Sequence, residues 1–260
     1  MSVLPAFLIT LIAGLATGIG GGIVFLAKRQ SPIFLSVCLG FSAGIMIYLS
    51  FMEILPSAFL ELPNQSLGVF AFFIGALIIG IIDLMVQNNE NPHEFFHKSA
   101  DLKRLPLNYI RKHLLKTGIL MMIAVTIHNF PEGFATFLSL LHHPEVGMGL
   151  AIAVMLHNIP EGIAVSIPVF YATNSRKKAL WFSIISGVSE PLGALVGYWI
   201  LKPFLSASVT AFALAGTAGV MVYIALEELL PTAHKYGQNH LVISSVFVGM
   251  VVMGIVFLIH

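Results

Sequence analysis

Long apolar stretches, separated by short polar turns, recur along the whole chain. Eight of them reach the ~20 residues that an α-helix needs to cross the hydrocarbon core of a bilayer. They cover roughly 3–27, 32–59, 66–87, 115–141, 146–171, 178–200, 204–230 and 241–260. Most connections are short, which makes consecutive helices antiparallel neighbours. Residues 88–114 are different: Asn88, Asn89, Asn91, Pro92, Lys98, Lys103, Arg104, Pro106, Arg111 and Lys112 make this the clearly water-soluble stretch. The pattern predicts an all-α membrane protein, a single transmembrane domain over 1–260 with 88–114 as a loop.

Composition agrees. Hydrophobic residues make up 57% and charged residues 10% of the 260 positions, against about 25% charged in an ordinary soluble domain. A net charge of +1 gives no reason to expect nucleic acid. The single Cys38 excludes an internal disulfide, and a lone thiol in an apolar segment reads as a small packing residue. The first apolar stretch lacks a basic leader and ends at Lys28-Arg29, the wrong flank for a cleaved signal peptide, so it reads as a retained span.

Basic residues set the orientation. Lys28, Arg29, Lys98, Lys103, Arg104, Arg111, Lys112, Lys116, Arg176, Lys177, Lys178 and Lys235 fall on one side of an eight-span arrangement, and only Lys202 on the other. The expectation is a multi-pass protein of the cell (inner) membrane with both termini outside and the long loop in the cytoplasm.

The chain also repeats itself. Residues 40–56 align without gaps to 215–231, with identities at Ala43/Ala218, Gly44/Gly219, Met46/Met221, Tyr48/Tyr223, Glu53/Glu228, Leu55/Leu230 and Pro56/Pro231. Apolar helices resemble one another by chance, but shared Tyr, Glu and Pro at matched places argue for a repeat. The two segments run in opposite directions through the membrane, as in the inverted repeats of many transporters.

Seven acids lie inside or at the ends of spans: Glu53, Asp83, Glu132, Glu161, Glu190, Glu227 and Glu228. No lysine or arginine lies deep in a span to neutralise them. A carboxylate at the bilayer centre costs roughly 2.5–3.5 kcal/mol on insertion scales, so these groups are either protonated or visited by a cation. Both outcomes point to a cation pathway.

Three of the acids belong to a specific constellation. Span four contains His-Asn-Phe-Pro-Glu-Gly at 128–133, and span five His-Asn-Ile-Pro-Glu-Gly at 157–162. A lone His or Asn in a span usually makes an interhelical hydrogen bond; two copies of one motif near the midplane of neighbouring spans favour a metal site instead. At about 100° per residue, Glu132 lies angularly between His128 and Asn129, and Glu161 between His157 and Asn158. Facing helices would build one site from His128, Glu132, His157 and Glu161, and an adjacent one from Asn129, Asn158 and the bridging glutamates. Pro131 and Pro160 cannot donate to the carbonyls of Ile127 and Leu156, so each helix is expected to open where the ligands stand. Glu190-Pro191 in span six repeats the pairing of carboxylate and break, and makes Glu190 a candidate further ligand. Imidazole and carboxylate suit Zn²⁺, and also Fe²⁺, Mn²⁺, Co²⁺ or Cd²⁺.

On these residues the chain resembles the ZIP (Zrt/Irt-like) metal transporters over its whole length, closest to a bacterial subgroup with histidine in both motifs. The resemblance implies transport of divalent metal into the cytoplasm, the metal being cargo rather than cofactor. It implies a binuclear centre on the fourth and fifth helices, with His128, Glu132, His157 and Glu161 at the primary site and Asn129, Asn158, Glu190 and the two glutamates at the second. It also implies a 3+2+3 fold, helices one to three related by inversion to six to eight with four and five between.

Weaker signals remain. Glu53 and Glu228 are expected as matching outer and inner mouth ligands, with Glu227 and Asp83 assisting at the inner end. His93 and His97 lie at i, i+4 in the loop with Glu90 and Glu94 nearby, and read as a solvated helix rather than a cytoplasmic metal site. His142 and His143 in an outer turn could gather metal, and ordinary loop polarity explains them as well. Gly14, Gly18 and Gly22 form a stripe that permits close helix packing. The expected partners are divalent metal ions and the lipid bilayer, with a homodimer left open. The rival reading, an intramembrane zinc hydrolase, is disfavoured: His-Glu-x-x-His is absent, and a catalytic zinc usually keeps three protein ligands.

Overall fold

A computed structural model describes residues 1–26, 32–87, 107–204 and 206–259. The expectations placed on His93, His97 and most of the 88–114 loop fall outside them. All regular structure among the described residues is helical. Among the described residues eight helices are long and apolar enough to cross a membrane.

We number them α1 to α8. α1 is Val3–Leu26, α3 Gln65–Gln87, α4 Leu107–His142, α5 Pro144–Thr173 and α8 Asn239–Ile259. α2 runs from Pro32–Leu49 through a π-helical turn, Ser50–Ile54, into Leu55–Glu61. α6 is two segments, Arg176–Gly187 and Ser189–Leu201. α7 is Ala207–Ile224, a π-helical turn Ala225–Leu229, and Leu230–Tyr236.

Local chemistry explains the ends. The Ser175 and Ser206 hydroxyls accept the backbone N–H of Lys178 and Val209 at 3.3 and 3.2 Å, capping α6 and α7. Pro144 opens α5, where its missing N–H costs nothing. Asn174 closes α5 at φ 51°, a left-handed conformation that asparagine tolerates.

The spans match expectation within a few residues, with two larger departures. α7 continues to Tyr236, six positions past the predicted end. α4 begins at Leu107, eight positions before the predicted span, so Leu107–Leu114 is helix and not loop. The predicted openings at Pro131 and Pro160 are also absent as breaks: α4 and α5 run helically through both, and through Pro168. Neighbouring helices hold such sites together in a bundle, leaving one carbonyl without its helical donor rather than an unwound turn. In α6 the interruption is real. It falls at Val188, just ahead of Glu190 and Pro191, and Pro191 cannot donate to the carbonyl of Gly187.

The segment bounds of α7 repeat those of α2 throughout, each shifted by 175 positions, π turns included. In both, the residue after the turn bonds five residues back, Leu55 N–H to Ser50 O and Leu230 N–H to Ala225 O, and a proline follows. A π turn accommodates one extra residue, and here it delivers a proline to the start of the next helical segment. α2 and α7 lie antiparallel. Ser36 near the start of α2 donates to Ala233 O near the end of α7 at 2.8 Å, and Ser208 at the start of α7 donates to Glu61 O at 3.4 Å.

α5 is the most enclosed helix, packed against α1, α4, α2 and the first half of α6. α2 packs on α8 and α7 on α3. α3 and α8 are apolar on their outer faces, where Phe70, Phe73, Leu77, Phe247, Val248 and Val251 are exposed; this is the surface expected toward lipid. Small residues make the close approaches. Gly14 of α1 lies against the carbonyl of Gly187 in α6, and Gly187 in turn against the carbonyl of Gly14. Gly18 meets the Ile184 side chain, but among the described residues Gly22 has no neighbour within 4 Å of where a Cβ would stand. The predicted glycine stripe therefore packs at two of its three positions, and Gly20 and Gly21 do what Gly22 does not.

Candidate metal centre

The seven residues singled out by the sequence, His128, Asn129, Glu132, His157, Asn158, Glu161 and Glu190, are all buried, none more than 1% exposed. Seven polar side chains sealed inside an apolar bundle need partners, and six of them, all but Asn129, find one among themselves. His128 Nε2 lies 3.0 Å from Glu161 Oε2, and His157 Nε2 lies 3.1 Å from Glu132 Oε2. The helical angles allowed Glu132 to serve His128; the structure pairs each histidine with the glutamate of the other helix. Asn158 Nδ2 donates to Glu190 and, at 2.9 Å, to the carbonyl of Ala13 in α1. Elements α4, α5, α6 and α1 thus meet at one place.

Much of the ligating capacity is unused. His128 Nδ1, His157 Nδ1, Glu132 Oε1, Glu190 Oε2, Asn158 Oδ1 and both polar atoms of the Asn129 amide are buried without a partner among the described residues. The set of two imidazoles, three carboxylates and two amide oxygens suits a borderline divalent cation. With glutamate oxygens engaged by imidazoles, no three His, Cys, Asp or Glu side chains among the described residues converge on a common point. A cation entering here has to part the two His–Glu pairs.

Glycines set how closely the elements approach. Gly133, which ends the first motif, lies on the backbone of Glu190; Gly162, which ends the second, lies on the backbone of Thr17 in α1. Gly193 of α6 lies on the carbonyl of Phe130 in the first motif, and Gly20 of α1 on that of Ile159 in the second. Sequence reasoning missed Ser42 of α2. Its buried hydroxyl sits at the far limit of hydrogen bonding from His157 O (3.4 Å) and Glu161 Oε1 (3.5 Å). A small polar residue in an apolar span gives no periodic signal, so nothing but the fold reveals it.

The remaining acids line two cavities. One, of about 250 Å³, lies toward the end of the bundle where α2 closes and α7 begins; its polar lining includes Glu53, Glu61, His142, His143 and Thr210. There His143 Nε2 stands 3.8 Å from Glu61. The other, of about 30 Å³, lies toward the opposite end and gathers Asp83, Glu227 and Glu228 with Tyr223.

The sequence model of the family described as "ZIP Zinc transporter" matches residues 87–256. "Zinc transporter ZupT" of Nitratidesulfovibrio vulgaris is 51% identical to the chain over 266 residues, covering 98% of this chain and 96% of that protein. The proteins of the same name from Clostridium perfringens and Streptococcus mutans are each 46% identical, covering 98% and 96% of this chain and 95% of each relative. These relatives are transporters by name, and nothing supports the hydrolase reading. With eight apolar helices, two copies of one His-Asn-x-Pro-Glu-Gly motif buried face to face, and relatives aligned almost end to end, the chain belongs to the ZIP family of zinc transporters.

Proposed function

We propose that this multi-pass membrane protein carries divalent metal ions, zinc foremost, into the cytoplasm through the polar core between α4 and α5, with Fe²⁺, Mn²⁺, Co²⁺ and Cd²⁺ as further candidate cargo. One observation carries the reading: His128, Glu132, His157 and Glu161 are buried together and bonded to each other across the α4–α5 interface. These four form the primary site; Asn129, Asn158 and Glu190, with the bridging glutamates, form the second. Their unpartnered atoms supply the donors such sites need.

The proposed arrangement is 3+2+3, in the inner membrane, with both termini outside. It is supported by the matched bounds of α2 and α7, by their antiparallel contact, and by twelve of the thirteen basic residues falling on one side. Glu53 would then stand at the outer mouth, and Glu228, with Glu227 and Asp83, at the inner one, each acid on its own π turn or beside it. π turns recur at functional sites because the extra residue re-aims side chains. Replacing Glu53 by Gln should weaken apparent metal affinity for uptake; unchanged affinity and rate would remove it from the pathway.

The test of the main reading is uptake of radiolabelled zinc into proteoliposomes holding the purified protein, beside His128→Ala and Glu161→Ala. Saturable uptake that both substitutions abolish is the expected result. Absence of uptake by the parent, with zinc still bound, would overturn it.

A further inference from the structure

The contacts made by Thr17 on α1 and Glu190 on α6 correspond one for one. Gly162 lies on the backbone of Thr17 and Gly133 on the backbone of Glu190. A Cβ on Gly187 would meet the Cβ of Thr17 at 3.0 Å, and a Cβ on Gly14 would meet the Cβ of Glu190 at 3.1 Å. The offset between Thr17 and Glu190, 173 positions, also relates Gly14 to Gly187 and Gly20 to Gly193, whose contacts match as well. The second motif follows the first by 29 positions, so the same operation exchanges Asn158 with Asn129. Glu190 is bonded to Asn158. The group that stands toward Asn129 as Glu190 stands toward Asn158 is therefore Thr17.

The state of the Thr17 hydroxyl agrees with this position. Thr17 is completely buried, and its Oγ1 has no hydrogen-bond partner among the described residues. Threonines in helices usually return the hydroxyl to the carbonyl four residues back. Thr10, Thr126, Thr173 and Thr217 of this chain do so, at 2.7–3.1 Å. The corresponding carbonyl for Thr17 is that of Ala13, which instead accepts the Asn158 amide. A buried hydroxyl that forgoes its own carbonyl is a donor atom held for something else. Both amide atoms of Asn129 are in the same condition. Thr136 and Thr210 also have buried hydroxyls without partners, but their counterparts in the repeat are Val165 and Leu35, and neither corresponds to an acid.

We infer that the Thr17 hydroxyl completes the second metal subsite as a neutral oxygen donor beside Asn129, so that α1 and α6 each supply one oxygen ligand from equivalent places. The subsite is asymmetric in charge because one member of the pair is a carboxylate and the other a hydroxyl. This rests on the metal-transport reading above and extends it to a fourth helix.

Equilibrium dialysis of the purified full-length protein with zinc alone tests the assignment, comparing the parent with Asn129→Ala, Thr17→Val and Thr17→Ser. The parent should bind about two zinc ions per chain, and both Asn129→Ala and Thr17→Val should weaken the second by about 10- to 100-fold, with Thr17→Ser restoring it. Valine preserves the shape of threonine and removes only an unbonded hydroxyl, so the thermal midpoint of the zinc-free protein should not fall. Loss of the second zinc in Asn129→Ala but not in Thr17→Val would overturn the role of Thr17 and leave the second subsite standing. A second zinc unaffected by either substitution, or absent from the parent, would overturn the subsite and the inference with it.

Discussion

The imidazole of His128 reaches Glu161, on the neighbouring helix, at 3.0 Å, and not Glu132 one turn along its own helix. With His157 and Glu132 the same holds in reverse. The site is thus a lattice between two helices, and each half is incomplete alone. Removing one partner strands the other in a buried place, at about 1–3 kcal/mol, whereas removing both is far less costly. His128→Ala and Glu161→Ala should each destabilise the metal-free protein by about that amount, and the double substitution by clearly less than their sum. His128→Ala with Glu132→Ala should come closer to additivity. Unfolding of detergent-solubilised protein measures both cycles, and equal coupling in the two would contradict the cross-helix pairing.

Each His–Glu contact needs a hydrogen between its nitrogen and oxygen, so the two pairs hold at least one proton each. A metal ligated by the same atoms sends each hydrogen elsewhere, to Nδ1 of a neutral imidazole or into solvent from an imidazolium. If the pairs are imidazolium with carboxylate, zinc binding should release about two protons per ion in weakly buffered solution, and apparent zinc affinity should fall as pH is lowered. His128→Ala should release fewer. Zinc binding without proton release would mean that both imidazoles are neutral in the metal-free protein and pass their hydrogens to Nδ1.

The sequence carries the helices and the site residues for definite physical reasons. Apolar runs of span length, a one-sided distribution of lysine and arginine, and a duplicated six-residue motif are all properties of the chain as a string. What the string does not contain is which face meets which. The alternation of His128 and Glu132 on one helix allows either pairing, and only the approach of α5 to α4 selects Glu161. Pro131 and Pro160 mark missing hydrogen bonds, but whether a helix then opens depends on its surroundings, and here α4 and α5 stay helical. The π turns at Ser50–Ile54 and Ala225–Leu229 left only their trailing prolines as a trace. Glu61 escaped notice because nothing in the sequence relates it to His143.

Close packing behind the motifs makes a second set of expectations. A Cβ on Gly133 or Gly162 would run into the backbone of Glu190 or Thr17, and backbone cannot swing aside as a long side chain can. Gly133→Ala and Gly162→Ala should each destabilise the protein by about 1–3 kcal/mol or more and displace Glu190 and Thr17 respectively. Gly22→Ala meets open space and replaces a poor helix former, so it should be neutral or stabilise by up to about 1 kcal/mol. Thermal unfolding in detergent separates the cases. A Gly22→Ala variant as damaged as Gly162→Ala would show that α1 packs differently.

The last expectation concerns orientation, and the single Cys38 makes it directly measurable. Replacing Cys38 by serine yields a chain free of thiols, into which one cysteine at a time can be placed. Lys202 is exposed, its ammonium 5.8 and 5.7 Å from the ring centres of Tyr198 and Trp199, an association suited to the membrane–water boundary. Lys235 lies in the last turn of α7, at the far end of the next helix in the chain. If basic residues mark the cytoplasmic side, Lys202→Cys in intact cells should react with a membrane-impermeant maleimide. Lys235→Cys should react only after the membrane is opened. The reverse pattern would invert the protein, place Glu228 at the outer mouth and Glu53 at the inner, and reverse the proposed direction of metal movement through the site.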